Sequence, residues 1–72
     1  MERHADHTYR ITEVVGTSRD SLQQAVRNGV ARAGETLHNL DWFEVSDVRG
    51  SIVDNEVGYF QVTMRIGFRL DE

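Results

Sequence analysis

The chain has 72 residues, no cysteine and a formal net charge of −4. Its length allows one domain spanning residues 1–72. The missing cysteines exclude disulfides and thiolate metal sites, and the acidic balance argues against a non-specific nucleic-acid binder, which would show a basic face.

A domain this small buries only about 60% of the surface that its unfolded chain exposes, so its core is marginal. With disulfides excluded, oligomerisation is the expected remedy. The opening "MERHADHTYR" lacks the apolar run of a signal peptide, and nothing approaches the roughly 18 apolar residues of a membrane span. Cytoplasmic residence with no membrane partner is therefore expected. His4 and His7 near the terminus and His38 on the predicted helix lack the spacing of a closed metal site and read as surface residues.

His7 to Val15, "HTYRITEVV", reads as a strand. Tyr9, Ile11 and Val15 alternate with Thr8, Arg10, Thr12 and Val14, and Glu13 interrupts the apolar face. "GTSRDS" follows: Gly16 suits a turn, Thr17 or Ser18 can cap a helix, and Asp20 in its first turn meets the positive dipole end. The helix is predicted from about Arg19 to Asn39. Its apolar stripe is Leu22, Ala25, Val26, Val30, Ala33, Leu37 and Leu40, at steps of three and four. Gly29 and Gly34 each cost about 1 kcal/mol relative to alanine, which suggests close approach to a sheet.

Two more strands are predicted, Trp42 to Val53 and Val57 to Leu70, with "DNE" between them as a hairpin turn. The last strand has a clean period of two. Phe60, Val62, Met64, Ile66, Phe68 and Leu70 form one face, expected under the helix. The order β-α-β-β gives an α+β fold: a three-stranded antiparallel sheet packed on one long helix.

One helix covers one face of such a sheet, so the other face is open or packed on a second copy. If the turn sets Val53 opposite Gly58, then Phe43 faces Phe68 and Val45 faces Ile66. Trp42, the sole tryptophan, then falls on the helix-free face near Gly67 and Arg69. A one-residue slip would put it in the core, and a bulge near "RGS" would alter the count. Outside the core, Trp42 is either an interface residue sealed by a second subunit or a platform for a planar ligand, where stacking is worth about 1–3 kcal/mol. Gln61 is either an ordinary polar strand residue or a paired donor and acceptor for the edge of a heterocycle. In that register the two are about eight residues, or ~26 Å, apart, so a shared ligand needs both from different subunits. Arg49, Arg65 and Arg69 lie on or near this face, for phosphate or for cross-subunit pairing with Glu13, Glu44 or Asp47. Nothing resembles an activated nucleophile, a general acid/base pair or a phosphate loop, and no enzyme activity is expected.

Together these stretches resemble the dodecin family of small flavin-binding proteins. "VVGTS" at Val14 to Ser18, "ARAGETLHNLDWFEV" at Ala31 to Val45, "RG" at Arg49 and Gly50, and "YFQVTMRIGFRL" at Tyr59 to Leu70 match its pattern in order. Gly34 departs from it, at a helix position more often filled by a larger residue. The resemblance implies a hollow homododecamer with flavins stacked between tryptophans of two subunits. It implies Trp42 as the stacking residue and Gln61 as the partner of the flavin's polar edge. It implies Arg49 and Arg69 near a phosphate-bearing ligand, FMN or coenzyme A, and Asp47 near the ribityl chain. FMN is the usual ligand of the bacterial branch, with riboflavin and FAD as alternatives. The implied role is flavin storage and buffering with quenching of photochemistry. The competing reading is a structural homo-oligomer in which Trp42 and Gln61 only seal interfaces.

Overall fold

A computed structural model of the chain describes residues 6–70; His4 lies outside them. The elements are β1 (Tyr9–Ser18), α1 (Leu22–Ala33), β2 (Leu40–Val53) and β3 (Glu56–Arg69). They form the expected β-α-β-β arrangement, a three-stranded sheet in the order β1-β3-β2 with both pairings antiparallel. The strand with the cleanest alternation, β3, takes the centre, where it is paired on both edges. Its even-numbered Val62, Met64 and Ile66 are fully buried and form the core with Ala25 and Ala33.

The helix backbone packs on β1 and β3 and stays away from the backbone of β2. Its buried face is narrow, Ala25, Gly29 and Ala33 at steps of four. Gly29 behaves as expected of a close approach: a Cβ there would sit 2.7 Å from Met64 Cε and 3.4 Å from Gly16 Cα. Gly16 is not a turn residue. It lies within β1, and a Cβ on it would overlap the Ala25 carbonyl oxygen. Gly34 packs on nothing closely and is the C-cap of α1, in the right-handed region.

The helix is shorter at both ends than its pattern predicted. The cap is Ser21, whose hydroxyl accepts from the Gln24 backbone N–H at 3.0 Å, and no acid lies in the first turn. Thr17 and Ser18 are claimed by β1, opposite Gln61 and Phe60, and the Ser18 hydroxyl accepts from the Asp20 N–H at 2.9 Å. At the other end the Gly34 N–H bonds to the Val30 carbonyl at 2.9 Å and the Leu37 N–H to Ala33 at 3.0 Å. Asn39, at φ 62°, then turns the chain into β2. Leu37 and Leu40 still pack on the core from outside the helix, and His38 sits in this connection.

The hairpin turn is Asp54-Asn55, with φ of 54° and 65°, the two left-handed positions that a tight type I′ turn requires. Glu56 belongs to β3 and pairs with Val53. The register differs from the expectation by one residue from Asp47 to Ser51 and by two around Trp42: Phe43 faces Ile66, Val45 faces Met64, and Trp42 faces Gly67. A shift of two preserves the side on which each residue falls. There are irregularities between Leu40 and Trp42, Val45 and Asp47, and Ser51 and Ile52, the last beside the "RGS" segment. The middle one inserts Ser46, whose hydroxyl donates to the Thr63 carbonyl at 3.3 Å.

The orientation of β1 is the larger surprise. Val14 and Gly16 face the helix, whereas Tyr9, Ile11 and Val15, its apparent apolar face, pair with Arg69, Gly67 and Thr63 on the helix-free side. On the helix side of β2, Phe43 and Val48 remain 51% and 52% exposed, and Ile52 near the hairpin tip is 75% exposed. The radius of gyration is 14.6 Å, against about 11 Å for a compact domain of this length.

Candidate functional site

The helix-free face is set by the parity of three strands. On β3 it carries Gln61, Thr63, Arg65, Gly67 and Arg69, and on β1 Tyr9, Ile11, Glu13, Val15 and Thr17. On β2, Trp42 and Glu44 face Gly67 and Arg65 before the extra residue, and Asp47 and Arg49 face Thr63 and Gln61 after it. Without Ser46, the period of two would put Trp42 and Arg49 on opposite faces.

Trp42 lies across the central strand. Gly67 beneath it is buried, and a Cβ on Gly67 would overlap Cη2, Cζ2 and Cε2 of the indole. The six-membered ring thus rests on bare backbone, which is why a glycine stands on the helix-free face of β3 here. Tyr9 meets the indole edge-on, with ring centroids 5.1 Å apart and planes at 60°. His7 in turn meets Tyr9 edge-on at 6.4 Å. Trp42 keeps 40% of its surface exposed, so it is neither a core residue nor a freely projecting one. Arg69, opposite Tyr9, completes this end of the face.

The other end is polar. Gln61 is half-buried, between Thr17 on β1 and Arg49 on β2. The Arg49 Nε donates to Asp47 Oδ2 at 2.9 Å, which leaves the two terminal nitrogens of the guanidinium for another acceptor. Between the two ends runs a charged row, Glu13, Arg65 and Glu44, one residue from each strand, with Arg65 Nη2 3.6 Å from Glu44 Oε1. These pairs are exposed, and each is worth only about 0–1 kcal/mol.

The five residues that the resemblance implied therefore fall in two groups on one face, Trp42 with Arg69 and Gln61 with Arg49 and Asp47. From Gly67 to Gln61 is six residues of β3, about 20 Å at ~3.3 Å per residue, shorter than the ~26 Å expected. Tyr9 was not singled out. Only the pairing of β1 with β3 brings it beside Trp42, and the sequence of β1 carries no signal of that register. Among the described residues, no group of three or more His, Asp or Glu is placed to hold a metal ion, and no helix is long and apolar enough to cross a membrane.

The dodecin family model matches residues 8–71. A dodecin of Thermus thermophilus is 47% identical over 64 residues, covering 89% of this chain and 93% of the relative. Among solved structures, the dodecin from Streptomyces davaonensis superposes with a TM-score of 0.91 at 59% identity, covering 94% of this chain and 100% of that one. The dodecin from Streptomyces coelicolor gives 0.91 at 59% identity, with 96% and 99% covered. A Thermus thermophilus protein gives 0.89 at 45%, with 92% and 97% covered.

Proposed function

The chain belongs to the dodecin family of small flavin-binding proteins, and on that premise we propose that it sequesters FMN between tryptophans of adjacent subunits in a hollow homododecamer. Trp42 is the stacking platform, and the amide of Gln61 bonds the carbonyl and N–H edge of the isoalloxazine. Arg49 and Arg69 take the phosphate of FMN, or of coenzyme A as a second ligand, and Asp47 meets the ribityl chain. Riboflavin shares the ring and binds without the phosphate contacts; FAD shares the ring as well.

The observation that carries this reading is the separation of Trp42 from Gln61 on a single face. A three-ring heterocycle is shorter than the ~20 Å between them, so one chain offers two half-sites. Two copies whose helix-free faces run antiparallel bring the Trp42 of one to the Gln61 of the other. Solved structures of the Thermus thermophilus dodecin include variants at one tryptophan and two arginines. Their positions are separated by the same seven- and twenty-residue steps as Trp42, Arg49 and Arg69 here.

The role is storage and buffering of flavin in the cytoplasm, without turnover. An excited flavin stacked on an electron-rich indole is quenched by electron transfer and rapid return, which suppresses its photochemistry. The uncovered apolar side of β2 favours assembly whether or not flavin is present, and so supports a second reading, a structural homo-oligomer. Titration of FMN with excess protein separates the two. Loss of flavin fluorescence is expected; undiminished fluorescence leaves the structural reading standing. Light scattering on the same sample checks assembly, and a monomer contradicts both.

A further inference from the structure

We propose that Tyr9 is a positioning residue for the flavin platform, a side wall that fixes the indole of Trp42 in its stacking orientation; this rests on the reading of Trp42 as that platform. Each of the three strands bounds the indole. Its anchor is β2, its floor is the bare backbone of Gly67 on β3, and its wall is the Tyr9 ring on β1, 5.1 Å away at 60°. The floor stops the indole from sinking into the sheet, but a flat floor does not stop it from swinging sideways over the face. Tyr9 blocks that swing, at an edge-on geometry that aromatic quadrupoles favour. Tyr9 is itself half-buried and meets His7 on its other side. What stays uncovered is the part of Trp42 that a ring from outside can stack on.

A side chain held in its bound geometry before the ligand arrives loses less freedom on binding. The edge strand β1, through Tyr9, thereby tunes flavin affinity without touching the flavin. A residue that only stabilised the fold would leave the indole's own spectra unchanged.

Trp42 is the sole tryptophan, so the long-wavelength indole bands of near-ultraviolet circular dichroism, beyond tyrosine absorption, and indole fluorescence anisotropy of flavin-free protein report on it directly. Tyr9→Leu should lower both signals and weaken FMN binding about 2- to 10-fold, whereas Tyr9→Phe, which keeps the ring, should leave all three at the wild-type level. Wild-type indole signals in an assembled Tyr9→Leu protein overturn the proposal, and so does an unchanged FMN affinity, or an equal loss in Tyr9→Phe. If the indole signals respond while wild-type protein fails to bind FMN, the wall stands and the flavin reading falls. Should Tyr9→Leu not assemble, nuclear magnetic resonance of the wild-type protein decides. Cross-peaks between the Tyr9 ring and the indole, with a rigid Nε1–H, support the wall, and their absence overturns it.

Discussion

Gly67→Ala tests the floor of the site with a single methyl group. Gly67 does not adopt a positive φ, so alanine is compatible with the backbone there. Restricting the unfolded chain would by itself stabilise the protein by about 0.4–1 kcal/mol. Against that, the new Cβ overlaps three atoms of the indole ring. Overpacking of this kind costs about 1–3 kcal/mol, and the exposed indole can relieve it by lifting away, so the net loss of stability should stay below about 2.5 kcal/mol. The lifted ring narrows the slot that it should line. Losing most of its stacking, about 1–3 kcal/mol, weakens FMN about 5- to 150-fold. The assay pairs an FMN fluorescence titration with the indole emission spectrum of flavin-free protein, which should shift to the red as the ring leaves the sheet. Wild-type affinity together with an unshifted spectrum would refute the claim that bare backbone at position 67 seats the platform.

Three further substitutions probe the rest. Trp42→Ala should leave the assembly folded but abolish quenching and cost about 1–3 kcal/mol of flavin binding; unchanged affinity removes the platform. Gln61→Ala should lose about 0.5–1.5 kcal/mol for a neutral hydrogen bond, seen as a 2- to 12-fold higher Kd for FMN, and an unaltered Kd means the amide faces solvent. Gly16→Ala drives a methyl into the Ala25 carbonyl, where backbone cannot yield as a side chain can. It should lower the urea midpoint by the equivalent of about 1–3 kcal/mol without a separate effect on the flavin slot, and an unchanged midpoint denies the close helix–sheet packing.

Much of this was legible in the sequence, for a physical reason. The central strand β3 is paired on both edges and covered by the helix, so its alternation is strict, and it fixed which side Val62, Met64 and Ile66 take. Because the true register around Trp42 differs by an even number of residues, the outward placement of Trp42 survived the error in its partner. The edge strand misled. With Glu13 in the middle, β1 presents Tyr9, Ile11 and Val15 to the helix-free side, while Val14 and Gly16 face the helix, whose backbone the bare Gly16 admits. The helix start was misplaced because Thr17, Ser18 and Ser21 are all competent caps, and only the length of β1 decides among them. The bulge at Ser46 left no mark at all. It arises from the pairing of two strands and not from the residue type.

That extra residue has a practical meaning for anyone redesigning the protein. Between Trp42 and Arg49 the count of residues matters more than their identity, since removing one would send the two side chains to opposite sides of a sheet only one layer thick. A library that varies side chains along this stretch keeps Trp42 and Arg49 on one face; a library that varies its length parts them while leaving every residue intact.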